Sequence, residues 1–228
     1  MVQRVTERWM WVLLPLMGLA LYMNFVGSPD DAVLGPSQRI FYFHMGAATV
    51  AALAFTVTAI SSLGYLVTRE LRYDLWAAAS AEVGTIFTSM LLITGVLWGR
   101  AAWGVWWTWD PRLTATVILW VLFIGYLMVR EWSDSRERRA RTAAVLALVA
   151  YVDVPIDYMT IRWWKSIHPV VITSHGIHMA PAMIDAMFVS MGALTLVYVA
   201  WMQIRLRLLR AEYGLEDVKA VVRAQWNR

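Results

Sequence analysis

Six apolar runs, each near the roughly 20 residues that a helix needs to cross about 30 Å of hydrocarbon, divide this chain into uncharged and charged stretches. They fall at about 9–26, 42–67, 77–97, 113–130, 142–161 and 184–204. No water satisfies the backbone inside a bilayer, so runs of this length are expected as helices whose hydrogen bonds close internally. Of the 228 residues, 60% are hydrophobic and 16% charged, which is more apolar surface than a soluble domain of this size can hide. The reading is therefore an all-α, polytopic integral membrane protein with six transmembrane helices. Residues 1–204 form one membrane domain, and 205–228 a cytoplasmic amphipathic tail lying on the inner surface or against a partner. The first run follows Arg4 and Arg8 as a signal peptide would, but Gly27-Ser28-Pro29-Asp30-Asp31 makes a poor cleavage site, so this run is expected to be retained. Asp110 and Pro111 read as the cap and first residue of the fourth helix. The fifth span is interrupted by Asp153 and Asp157 around Pro155.

Orientation follows from the basic residues. Fifteen of the 20 Lys and Arg fall on the side shared by both termini, which places the termini in the cytoplasm and the segments at about 27–41, 98–112 and 162–183 outside. In a bacterium that is a multi-pass protein of the inner, cytoplasmic membrane. Cations beside apolar spans set orientation, so the formal charge of +4 does not point to a nucleic-acid partner. With no cysteine, any metal must be held by nitrogen, oxygen or methionine sulfur.

The outer segment 98–112 carries Trp98, Trp103, Trp106, Trp107 and Trp109, thinned by Gly99 and Gly104 and closed by Asp110-Pro111. One or two interfacial tryptophans are an ordinary aromatic belt; a run this dense can also receive a flat aromatic ligand. All four histidines, His44, His168, His175 and His178, fall on that same side. A haem needs one or two axial nitrogens, an apolar face of aromatic size and cations for its propionates, and this face offers the histidines, the tryptophans and Arg39, Arg100, Arg112, Arg162 and Lys165. His175 and His178, spaced i, i+3, also suit a Zn²⁺ pair on a helical turn. The alternative from another class is an ion- or proton-coupled transporter using Asp153 and Asp157, which share a helix face inside a span. A transmembrane electron carrier is disfavoured, because the span interiors lack histidine. No catalytic residue set is legible.

Residues 98–114, from Trp98-Gly99-Arg100 through Trp106-Trp107-Thr108-Trp109-Asp110 to Leu113-Thr114, resemble the tryptophan-rich WWD signature of haem-handling membrane proteins. The length and the six spans are similar to the haem exporter protein C (CcmC) branch of that family, from the cytochrome c maturation system. Arg39-Ile40-Phe41-Tyr42-Phe43-His44 and Arg162-Trp163-Trp164-Lys165-Ser166-Ile167-His168 resemble the segments that hold its two outer histidines. The resemblance implies haem b as transient cargo, with His44 and His168 as axial ligands of the iron and Trp103, Trp106, Trp107, Trp109 and Asp110 as the platform, flanked by Arg100 and Arg112. It further implies delivery to a periplasmic haem chaperone that attaches haem covalently. The implied companions in the membrane are an ABC-type ATPase, a second membrane subunit and a small single-span subunit. Pro169, directly after His168, and the extra His175 and His178 depart from the pattern.

Overall fold

The computed structural model describes residues 2–132, 135–170, 172–173, 176–177 and 179–226, and for 2–10 and 172–173 the backbone alone. Seven α-helices make up nearly all of it: α1 (Val2–Tyr22), α2 (Arg39–Thr68), α3 (Leu71–Trp103), α4 (Pro111–Glu131), α5 (Arg136–Tyr151), α6 (Asp153–Trp163) and α7 (Pro181–Trp226). A two-residue antiparallel hairpin, β1 (Ile172–Thr173) with β2 (Gly176–Ile177), precedes α7.

Five segments are long and apolar enough to cross a membrane: Pro36–Thr68, Leu71–Trp103, Pro111–Glu131, Arg136–Trp163 and Pro181–Trp226. The chain is thus a multi-pass membrane protein. The first apolar stretch, Trp11–Gly27, is shorter and passes from α1 into a π-helical turn at Met23–Gly27. Two further expectations are refined. The fifth span is broken at Val152 into α5 and α6, with Pro155 in the first turn of α6, where its missing N–H costs nothing. The sixth does not end near residue 204; it continues as one helix to Trp226.

Small residues set the packing, as expected where backbones must approach closely in lipid. A Cβ placed on Gly84 of α3 would lie 2.7 Å from Phe55 of α2, and one on Gly46 of α2 would lie 2.8 Å from Leu194 of α7. Phe55 stacks on Phe123 of α4, with ring centroids 3.7 Å apart and planes at 12°. Polar side chains cross-link this core. Ser80 donates to the Ala54 carbonyl at 2.7 Å and pairs with Tyr198 at 2.8 Å, joining α2, α3 and α7. Asn24 of the π-helical turn bonds Ser190 of α7 at 2.9 Å, and Trp120 of α4 donates to Ser89 of α3 at 2.8 Å.

Candidate functional site

The tryptophan segment begins as helix. Trp98 and Trp103 belong to the last turns of α3, which stops at Gly104, whose backbone is left-handed at φ 75° and whose N–H reaches the Arg100 carbonyl at 3.2 Å. Irregular chain then runs to Asp110, which is buried and serves two elements at once. Its Oδ1 accepts the Arg112 N–H at 3.0 Å, capping α4, and also the Ser166 hydroxyl at 3.0 Å. Its Oδ2 accepts the Ile167 N–H at 2.9 Å, while Ser166 Oγ accepts the His168 N–H at 3.0 Å. One carboxylate therefore ties the start of α4 to the loop that carries His168.

The His168 imidazole is set among aromatic rings. Its centroid lies 5.4 Å from Trp103 and 6.5 Å from Trp98, which themselves meet edge to face at 5.4 Å. Phe41 of α2 backs Trp98 at 6.5 Å. Burial, reinforced by the Arg112 charge and opposed by Asp110, pulls the imidazole down from its ordinary value to about 4, so the ring is neutral near pH 7. Its Nδ1 is buried and has no hydrogen-bond partner.

His44 projects from α2 onto α3 where Gly95 leaves room; a Cβ there would lie 3.2 Å from His44 Cε1. Its Nδ1 is 3.0 Å from Thr94 Oγ1. The single hydroxyl hydrogen of Thr94 is directed to the Met90 carbonyl at 2.7 Å, so the oxygen accepts, and His44 is assigned its proton on Nδ1. Nε2 then carries the lone pair. A charge on His168 is felt at His44, and Arg112 acts on both rings, so these three side chains share one electrostatic neighbourhood.

The remaining tryptophans lie differently. Trp106 and Trp109 are exposed, Trp107 is half-buried and meets Trp109 edge to face at 5.7 Å, and the Arg100 guanidinium sits 5.7 Å over Trp106 while donating to the Gly104 carbonyl. Among the other cations, Arg39 is paired with Asp30 at 2.8 Å, Arg162 lies over the Tyr158 ring at 4.7 Å, and Lys165 is exposed. His175 and His178 lie outside the described residues. Asp157 accepts the Thr116 hydroxyl at 2.9 Å, whereas Asp153 Oδ2 is buried without a partner.

Sequence reasoning did not single out Thr94, Gly95, Ser166 or a position for Trp98 apart from its neighbours. Thr94 and Trp98 stand i, i+4 on one face of α3, and that spacing is the signal that links them. Ser166 carries no comparable signal, since its partner lies 56 residues away.

Known proteins agree on the family. The family model described as heme exporter protein C matches residues 1–219. The chain is 38% identical over 153 residues to heme exporter protein C of Bradyrhizobium diazoefficiens, covering 67% of this chain and 58% of that one. It is 32% identical to the protein of the same name in Escherichia coli (strain K12), covering 72% and 62%, and 29% identical to that of Haemophilus influenzae, covering 92% and 87%. The match thus spans about three fifths of the length of the first two relatives. On the strength of a family match that takes in nearly every residue, the chain belongs to the heme exporter protein C family.

Proposed function

We propose that this protein holds haem b as transient cargo at the tryptophan end of the bundle and hands it to a haem chaperone during cytochrome c maturation. His44 and His168 supply the axial nitrogens. The observation that carries the reading is the state of His168: a neutral imidazole with an unpartnered buried nitrogen, walled by Trp98 and Trp103 and held by Asp110 through two loop contacts. A buried polar atom without a partner is a group awaiting one. His44 complements it, since its Nδ1–H is oriented by Thr94 and its Nε2 carries the lone pair, the pattern in which metal-ligating histidines are usually held. Trp103, Trp106, Trp107 and Trp109 provide flat apolar surface, and Arg100 and Arg112 the positive charge for carboxylates. The exposure of Trp106 and Trp109 suits a cargo that must leave, because a haem enclosed on all sides could not be handed on.

In this reading both termini lie in the cytoplasm of a bacterium, the tryptophan end faces the periplasm, and the chaperone approaches there. An ABC-type ATPase, a second membrane subunit and a small single-span subunit are its companions in the inner membrane. The test is the absorbance spectrum of the purified protein. A low-spin haem b spectrum is expected, and His44→Ala or His168→Ala should lower haem retention or change its spin state as six-coordinate iron becomes five-coordinate. Unchanged spectra in both variants would refute the ligand assignment.

The unpartnered Asp153 Oδ2 favours one other reading, an ion- or proton-coupled path through Asp153 and Asp157. Covalent haem on the chaperone separates the two, since only the transport reading requires both carboxylates.

A further inference from the structure

Methionine is unevenly shared between the two larger apolar cores. At the tryptophan end, six of the fifteen residues that pack together are methionines: Met23, Met45, Met179, Met183, Met187 and Met191. In the core between the spans the figure is two of thirty-three, Met17 and Met202. Both cores lie among the same apolar helices, so burial alone does not account for the difference. Leucine fills space as well as methionine does; what methionine adds is a flexible, polarisable thioether. Met183, Met187 and Met191 stand about one turn apart along α7, and Met179 precedes Pro181 at its start.

The helix contacts show which way three of them face. On α7, Ser190 and Leu194 face α2, since a Cβ on Gly46 would lie 3.2 Å from the Ser190 carbonyl oxygen and 2.8 Å from Leu194, and Tyr198 faces α3 through Ser80. At about 100° per residue, Met187 falls between those two directions and Met191 about 20° beyond Tyr198. On α2, Phe41 and His44 face α3, against Trp98 and Gly95, while Gly46 faces α7, and Met45 falls between. Met45, Met187 and Met191 therefore face one groove shared by α2, α3 and α7, within about a turn of the contact between Gly46 and Ser190. Met183 and Met179 continue from it toward the loop before α7; Met183 and Met187 are buried, the other three partly exposed. Among the described residues, no group of three or more His, Asp or Glu is placed to hold a metal ion, and the chain has no cysteine, so a hard cation finds no cage here. Thioethers are soft, neutral ligands that select Cu(I), and a single charge costs roughly a quarter as much to bury as a double one. We propose that Met45, Met187 and Met191 form a thioether site for a soft monovalent cation, Cu(I), with Met179 and Met183 as its approach.

The test uses the full chain, purified free of haem and titrated with Cu(I) in competition with the colorimetric chelator ferrozine. One equivalent of Cu(I) should pass to the protein, and X-ray absorption should show sulfur in the first shell of the copper. With no cysteine in the chain, that sulfur can only be thioether. Met187→Leu combined with Met191→Leu nearly conserves volume and should lower Cu(I) affinity about tenfold or more, whereas Met17→Leu combined with Met202→Leu, in the other core, should leave it unchanged. The thermal unfolding midpoint of each double variant, measured alongside, should stay close to that of the unmodified chain. His44→Ala combined with His168→Ala should still take up Cu(I). No transfer from the chelator, a first shell of nitrogen and oxygen alone, or equal losses in the two methionine pairs would each overturn the proposal. Because the protein is haem-free throughout, any of these failures would leave the haem reading standing.

Discussion

Asp110 shows how much can rest on one side chain. It caps α4 and at the same time accepts from Ser166 and Ile167, so its loss frees the His168 loop without touching the imidazole. Asp110→Ala should therefore lower haem affinity about 10- to 100-fold, the usual cost of removing a group that orients a metal ligand, and Asp110→Asn, which keeps one acceptor, should fall between it and the wild type. Haem titration of detergent-purified protein measures this. Thr94→Val removes the acceptor for the His44 Nδ1–H and should weaken haem binding by a similar factor while leaving the fold intact. His168 also sets a pH dependence. Its folded value, about 4, lies below the ordinary 6.5, so the stability that its neutral form contributes is complete above about pH 6.5 and is lost as pH falls through the window down to about 4. Haem retention follows the folded value and should be flat from pH 8 to near 4, declining where the folded imidazole protonates. Arg112→Gln, which removes a charge that disfavours imidazolium, should move the decline to higher pH. The histidines, the tryptophans and Asp110 were legible as residues worth naming, because their types are rare and their chemistry distinctive. That Asp110 grips a loop 56 residues away was not legible, since the contact depends on how α4 and α6 return to the same end of the bundle.

At the scale of elements, the spans were legible because lipid imposes a length and forbids charge: five of the six apolar runs are helices long and apolar enough to cross a membrane, and the first is a shorter apolar helix. Their ends were less so. Asp153, Pro155 and Asp157 marked a disturbance, but only the structure puts the break at Val152, whose N–H turns back to the Val149 carbonyl at 3.3 Å before α6 starts at Asp153. The extension of α7 was missed as a continuation because the chain becomes polar at Arg205 without a helix breaker; Gly214 is exposed and simply absorbed. The α6 carboxylates supply a prediction at this scale. Asp157 already has the Thr116 hydroxyl, so replacing Asp153 and Asp157 with asparagine keeps size and hydrogen bonding while removing charge. On the haem reading this double variant still loads haem and still yields haem-linked chaperone in cells at normal membrane abundance; loss of that product would favour the ion path. The irregular stretch after α3 gives another. Trp106→Leu with Trp107→Leu retains apolarity but not the flat π surface, so insertion should persist while haem content falls.

For the whole molecule, the two ends of the bundle divide the work. The tryptophan end carries exposed rings and an unpartnered imidazole nitrogen, both poor for stability, while the opposite end is clamped by charge. There Asp74, in the first turn of α3, receives both guanidinium nitrogens of Arg130 from the last turn of α4, at 2.5 and 3.0 Å, and the Tyr213 hydroxyl of α7 at 3.2 Å. All three residues are buried. A buried pair adds little over a well-packed apolar pair, because desolvation offsets the attraction, but breaking it by removing one partner strands a charge at a cost of about 3–5 kcal/mol. Arg130→Met alone should therefore lower the unfolding midpoint in mixed micelles strongly, and Arg130→Met combined with Asp74→Leu should recover most of the loss. If the single variant unfolds at the wild-type midpoint, the pair is not the clamp. Asp74 and Trp103 lie at opposite ends of α3, about 44 Å apart along its axis, so the haem spectrum of the folded fraction should be the same in every one of these variants. A change in ligation, with the single variant still folded, would mean instead that the clamped end sets the geometry around His44 and His168 through the shared helices α2, α3 and α4.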